Sequence, residues 1–154
     1  MTGKLAKEIQ QTKPFSSPAE EAILNIQRTA GVLGQLFAET LKPHGLTEVQ
    51  YNALRILRGA GKAGLCCQEI ADRMITNDPD ITRLVDRLAA RSLVERARSE
   101  EDRRVVVNRI TPAGMKMLSS IDESARTLPE QVLGHLGDKK LRILIDLLEE
   151  ARKA

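Results

Sequence analysis

Between Arg73 and Arg109 the chain carries Arg73, Arg83, Arg87, Arg91, Arg96, Arg98, Arg103, Arg104 and Arg109, and no lysine. Its lysines lie elsewhere, at Lys4, Lys7, Lys13, Lys42, Lys62, Lys116, Lys139, Lys140 and Lys153. The distinction is chemical. A guanidinium is a planar fork of donors that matches a phosphate or the O6/N7 edge of guanine, whereas an ammonium is a compact point charge. The chemistry on offer is therefore recognition of anions and base edges. Charge alone does not establish it, because Asp78, Asp80, Asp86, Glu95, Glu100, Glu101 and Asp102 share the segment and also suit a solvated mixed face. A net charge of +3 and a pI near 9.0 add little.

Bond-making chemistry has no foothold. The two histidines, His44 and His135, stand in unrelated loops. There is no glycine-rich phosphate loop, no metal-ligand spacing and no paired nucleophile and base, so neither an enzyme nor a metal or other cofactor is expected. Cys66 and Cys67 are adjacent and cannot staple distant parts of a fold. A vicinal disulfide is a strained ring, and no neighbouring His or Cys completes a metal set. They read as small residues near the start of a short helix, with a redox switch as the alternative. Hydrophobic residues make up 42% of the 154 positions, enough for one domain with its own core. No run approaches the roughly 18 apolar residues of a membrane span. Met1 to Pro14 is polar and lysine-dotted, unlike a signal peptide, so a cytoplasmic location is expected.

The elements that position the arginines follow from period and punctuation. Residues 1–16 read as an N-terminal arm. Ser17, Pro18 and Glu20 open a long helix. Its apolar residues Ile23, Ile26, Ala30, Leu33, Phe37 and Leu41 recur at three and four, and Leu24, Val32 and Leu36 lie outside that stripe. Such a helix needs more than one neighbour. Pro43-His44-Gly45 ends it. Thr47 and Gln50 form the capping box of a second helix with Val49, Ala53, Leu54 and Leu57 inside. Gly59, Gly61 and Gly64 turn the chain into a short third helix, about Cys67 to Met74. A fourth is predicted to open at Asp78-Pro79, with Asp78 as cap, and to bury Ile81, Leu84, Val85 and Leu88. Leu93–Arg98 and Arg104–Ile110, rich in β-branched residues, read as a hairpin about the turn Ser99–Asp102. Thr111-Pro112 caps a fifth helix to about Arg126, Pro129–Leu136 reads as a separate helical piece, and Asp138 caps the last helix. There Leu141, Leu144, Ile145 and Leu148 make one apolar stripe, and Ile143 and Leu147 another.

Three helices followed by a hairpin, with arginines on the last helix and the hairpin, describe a winged helix-turn-helix. The fold class is mainly α with one small β-hairpin: a winged helix-turn-helix DNA-binding lobe joined to a helical lobe. The major groove admits one helix, which must present donors to base edges. Thr82, Arg83 and Arg87 lie opposite the apolar face, and Arg83 and Arg87, four apart, stand one above the other. Pro79 and Asp80 sit at the helix start, where free N–H groups favour phosphate and the dipole favours a carboxylate. Asp86 pairs with a neighbouring arginine or, as the alternative, accepts from a cytosine amino group. On the wing, Asp102, Arg103 and Arg104 are the candidates. Asp102 and Arg104 are expected to project from one strand face, Asp102 orienting an arginine while Arg104 enters the minor groove.

The stretch from Gly45 to Gly114 resembles the MarR family of multiple-antibiotic-resistance-type regulators. The matching words are Leu46-Thr47, Gln50-Tyr51 and Leu54; Gln68-Glu69-Ile70-Ala71; and Asp80-Ile81-Thr82-Arg83-Leu84-Val85-Asp86-Arg87-Leu88. Leu93-Val94-Glu95-Arg96, Asp102-Arg103-Arg104 and Ile110-Thr111-Pro112-Ala113-Gly114 follow in order. The resemblance implies a homodimer in which the first and last helices interlock and each subunit reads one half-site of a pseudo-palindrome in double-stranded DNA. It makes the helical lobe a helical dimerisation lobe, assigning 17–45 and 112–154 to dimerisation and 46–111 to the winged helix, within one domain spanning 17–154. It further implies a repressor released by a small-molecule effector, or by oxidation in some members. The effector pocket would lie between the two lobes. His44 falls near that pocket and, with Tyr51, is a candidate ligand contact. A plain loop histidine and a tyrosine in the inner wall of the second helix are the simpler readings. Where the family usually places glycine after the recognition helix, this chain has Ser92, and a slightly altered helix end is expected. The alternative functions are a winged-helix protein-interaction module, a redox-sensing regulator using Cys66 and Cys67, and sequence-tolerant architectural DNA binding.

Overall fold

Thr47 and Gln50 close the capping box that their spacing predicts. Gln50 N–H donates to Thr47 Oγ1 at 3.3 Å, and Thr47 N–H donates to Gln50 Oε1 at 3.1 Å. In the computed structural model, which describes residues 3–77 and 80–153, this box starts α3 (Glu48–Ala60). The other elements are α1 (Lys4–Glu8), α2 (Pro18–Leu41), α4 (Cys67–Ala71), α5 (Ile81–Ala90), β1 (Val94–Arg98), β2 (Val106–Ile110), α6 (Pro112–Leu133) and α7 (Gly137–Ala151). They form two compact units, residues 1–39 and 40–154. Among the described residues no helix is long and apolar enough to cross a membrane.

In the first unit the predicted arm contains a helical turn, α1, with Leu5 buried. Ser17 Oγ accepts Glu20 N–H at 3.2 Å as expected of a cap. The Glu20 carboxylate, however, takes the hydroxyl and N–H of Ser16, one residue earlier than predicted, and these bonds hold its pKa below the ordinary carboxylate range. Ile23, Ile26 and Val32 are exposed along α2.

The second unit is built on one core. Leu54 and Leu57 of α3, Ile70 of α4, Val85 and Leu88 of α5, and Leu118 and Ile121 of α6 have no exposed surface. Burying each stabilises the fold by roughly 1.5–3 kcal/mol. The winged helix and α6 are thereby locked together, and Arg58 of α3 adds an ion pair to Asp122 of α6 at 2.9 Å. β1 and β2 pair antiparallel, with Val94 opposite Ile110 and Arg98 opposite Val106. The wing is tied to the helices through Asn108, which is fully buried. Its N–H and side-chain Nδ2 both donate to Leu65 O, at 2.8 and 2.9 Å, and its carbonyl accepts Leu65 N–H at 3.0 Å. So close an approach requires Gly64. A Cβ there would lie 2.6 Å from Asn108 O, and the residue's φ of +69° is one that side-chain-bearing residues rarely adopt.

Several boundaries differ from the sequence expectation. α4 ends at Ala71, so Met74 packs on the core from the following turn. α5 begins at Ile81 with Asp80 as its cap; Asp78 and Pro79 lie outside the described residues. α6 runs unbroken through Pro129. A proline inside a helix removes one donor, and the half-buried Ala125, Leu128, Val132 and Leu133 carry the helical spacing across it. α7 starts at Gly137, which places Asp138 in the first turn and not at the cap.

The expected alteration after α5 does not occur. Ser92 adopts φ 57°. Its N–H donates to Ala89 O at 2.9 Å and Leu93 N–H to Leu88 O at 3.0 Å, the ordinary glycine-type helix end with Leu88 and Leu93 both buried. Ser92 O also accepts the Thr111 hydroxyl at 2.7 Å. Ser92→Gly is therefore expected to stabilise the protein by about 1 kcal/mol by removing the left-handed cost, read as a shift in urea midpoint at unchanged slope. An unchanged or lower midpoint would mean that Ser92 bears no backbone strain.

Candidate nucleic-acid interface

α5 is fastened from one side and bare on the other. Ile81, Leu84, Val85 and Leu88 are buried, and Thr82, Arg83 and Arg87 are exposed on the opposite face. Asp80 Oδ1 accepts Arg83 N–H at 3.0 Å, and Asp80 Oδ2 lies 3.7 Å from Arg83 Nε. The Arg83 side chain nevertheless stays 71% exposed, so its outer nitrogens are available to a ligand. Arg87 has no side-chain partner among the described residues. Beside these arginines runs a groove of about 190 Å³, walled on the other side by Thr47 and Gln50 from the first turn of α3.

The fold sorts the arginines. Arg91, just past the end of α5, donates to Gly45 O at 2.6 Å and His44 O at 3.1 Å. Arg96 of β1 pairs with Asp86 of α5, which answers the question of Asp86 in favour of an arginine partner. Arg98 donates to Arg103 O at 2.7 Å, and Arg109 to Lys62 O at 2.7 Å. These four hold the recognition helix, the wing and the neighbouring turns in place. The guanidinium groups of Arg87, Arg103 and Arg104 have no bonded partner among the described residues and are exposed.

The wing tip differs in mechanism from the expectation. β2 begins only at Val106, so Asp102, Arg103 and Arg104 lie in the turn and do not share a strand face. Asp102 Oδ1 accepts the backbone N–H of Arg104 at 2.9 Å, and Asp102 O accepts Val105 N–H at 2.9 Å. Asp102 thus shapes the turn through the backbone, and among the described residues no arginine side chain is bonded to it. Ser99 Oγ accepts Glu101 N–H at 3.2 Å from the other side of the tip.

Of the remaining candidates, Pro79 lies outside the described residues. His44 is half-buried with Nδ1 3.2 Å from Ser120 Oγ of α6. Tyr51 is buried in the core, its ring 5.8 Å beneath the Arg55 guanidinium. No bond links the two. Cys66 and Cys67 are half-buried free thiols. Cys66 N–H donates to the Glu69 carboxylate at 2.8 Å and holds it below the usual carboxylate range. Cys67 Sγ lies 3.8 Å from Asn108 Nδ2. Among the described residues no three His, Cys, Asp or Glu side chains converge as metal ligands.

Sequence reasoning missed the place of Gln50 and Thr47 beside Arg83 and Arg87, and the grip of Arg91 on the His44–Gly45 turn. The capping box was legible, but its proximity to α5 is set by tertiary packing.

Comparison with known proteins agrees with this arrangement. Residues 46–106 match the model of the MarR family. The chain is 42% identical to a MarR transcription factor of known structure from Planctomyces limnophilus, covering 88% of this chain and 98% of that one with a TM-score of 0.66. It is 25% identical over 148 residues to the HTH-type transcriptional repressor NicR of Pseudomonas putida, covering 91% of this chain and 92% of NicR. CouR of Rhodococcus jostii, solved bound to p-coumaroyl-CoA, shares the fold at 21% identity with a TM-score of 0.73 over 89% of this chain and 95% of CouR. The chain therefore belongs to the MarR family of winged helix-turn-helix transcriptional regulators.

Proposed function

We propose that the protein is a repressor that binds a pseudo-palindromic operator in double-stranded DNA as a homodimer and is released by a small-molecule effector. The observation that carries this reading is the exposed pair Arg83 and Arg87 on a helix whose opposite face is locked into the core. A rigid helix with outward guanidinium groups suits base-edge readout in a major groove, and Arg103 and Arg104 on the wing suit the flanking backbone or minor groove. Dimerisation is supported by α7, whose Ile143, Ile145 and Leu147 are each more than half exposed. Such apolar surface on a helix calls for a partner. The repressor role is supported by the likeness to NicR. Release by an effector is supported by the ligand-bound state of CouR, and by the turn at His44–Gly45: its two carbonyls hold Arg91 at the end of α5, so a ligand that moved this turn would tilt the recognition helix.

The test is selection of bound duplexes from a random pool, with stoichiometry measured on the winners. A pseudo-palindrome bound by two chains, with half-sites about one helical turn apart, is the expected result. Binding without consensus that falls steeply with salt would support architectural binding. No binding at low salt, even after removal of any bound ligand, would favour a protein-interaction module.

The wing offers a separate check. Arg104→Ala is expected to weaken binding to all sequences alike and to lower the salt slope by about one, because a tip arginine acts mainly through charge. Equal slopes for variant and parent would remove Arg104 from the phosphate and minor-groove contacts.

A further inference from the structure

We infer that Gln50 is a DNA-backbone contact, its side-chain amide donating to one phosphate of each half-site beside Arg83 and Arg87. The inference rests on the DNA-binding reading above. It goes beyond the role in helix capping that the spacing of Gln50 from Thr47 already explains.

Both ends of the Gln50 side chain are defined by the capping box. Oε1 accepts Thr47 N–H at 3.1 Å, so this end of the amide is the acceptor and the other end is Nε2. Gln50 N–H is itself bonded to Thr47 Oγ1 at 3.3 Å, which holds the first turn of α3 in place. Nε2 is left with two donor hydrogens and no protein partner among the described residues. Gln50 lines the same groove as Arg83 and Arg87. The side-chain donors that border this groove are thus the Gln50 amide, the Thr47 hydroxyl and two guanidinium groups. The acidic residue on its wall, Asp80, is engaged with Arg83 through its N–H and its Nε.

A phosphate oxygen is a suitable acceptor for the Gln50 amide, and a contact of this kind sets the register of a recognition helix whose arginines meet base edges. The amide is already immobilised by the box, so its ordering entropy is not lost again on binding. A base edge is the competing partner for the same donors, and it makes a different prediction for a neutralised phosphate.

Gln50→Glu separates capping from contact. Glutamate at the third helical position closes the box as well as glutamine does, so the thermal midpoint should hold, while a donor becomes an anionic acceptor. Operator binding should weaken about tenfold or more, as befits losing a hydrogen bond to a charged group. The general field of an added negative charge is removed by repeating the titration on operators that each carry one neutral methylphosphonate. At one position per half-site the parent protein should lose affinity, and the Gln50→Glu protein should regain much of its deficit there and nowhere else. Gln50→Met, which removes the amide at similar length, carries the same test without added charge. It should bind the native operator more weakly and lose nothing further when that one phosphate is neutralised.

Binding of Gln50→Glu within about twofold of the parent would overturn the inference. So would an equal deficit on every methylphosphonate duplex, or an additive loss for Gln50→Met. A deficit that instead followed the identity of one base pair would replace the phosphate by a base edge. Failure of the parent protein to bind any duplex would remove the DNA reading itself, and this contact with it.

Discussion

Ile143→Glu combined with Leu147→Glu is expected to give a folded monomer whose affinity for a two-half-site operator is lower by a factor of about 10²–10⁴. The two side chains are 51% and 58% exposed on α7, and no residue of α7 is buried within the chain. Residues four apart share a helix face. Glutamates there stay in water in an isolated chain, so the core of α3–α6 keeps its contacts and the urea midpoint of the monomer should hardly move. In a dimer the same positions would bring carboxylates into an apolar interface without partners, which is strongly unfavourable. Once the two winged helices are no longer joined, each half-site must be bound separately and the effective concentration of the second site is lost. Sedimentation and operator titration of the same sample provide the check. A stable dimer with unchanged operator affinity would show that α7 is not the dimer seam. A monomer that has lost its helix signal would place α7 in the core of the subunit.

Arg83→Ala should cost about 1–3 kcal/mol at the operator and relax preference at one position of each half-site. Folding stability should change little. The pair with Asp80 is exposed on both sides, at 71% and 52%, with a separation of 3.7 Å, and such pairs contribute about 0–1 kcal/mol. The substitution also leaves the Asp80 carboxylate, which still caps α5, facing the duplex without its guanidinium neighbour. Arg83→Lys distinguishes the two effects. It returns the charge but not the planar fork, so it should restore binding to arbitrary DNA while leaving the base preference relaxed. A uniform loss over all sequences for Arg83→Ala, fully restored by lysine, would make Arg83 a backbone clamp.

Local patterns carried the sequence reading a long way where the relevant energy is itself local. The α3 capping box needs only Thr47 and Gln50. The two faces of α5 need only the spacing of Ile81, Leu84, Val85 and Leu88 against Thr82, Arg83 and Arg87. β-branched residues at Val105, Val106 and Val107 marked the second strand, although Val105 itself belongs to the turn. Other local cues were outweighed. Pro129 signalled a break, yet α6 continues through it with Leu128, Val132 and Leu133 half-buried on either side. Ser92 signalled a distorted end, yet two backbone bonds and the burial of Leu88 and Leu93 hold the left-handed turn.

Residue types and periodicity alone determined the class of fold, the recognition helix and its outward arginines, because helix period and capping act within a few residues. Only the tertiary structure decided which arginines are free to meet a ligand. Arg91, Arg96, Arg98 and Arg109 look no different from Arg87 and Arg104 in the chain, but packing brings carbonyls of Gly45, Arg103 and Lys62 and the carboxylate of Asp86 within their reach. The same packing sets Gln50 beside Arg83, although the two are far apart in the chain. A long flexible side chain takes whichever acceptor the fold supplies, and that acceptor is set by contacts between segments that the order of residues does not display.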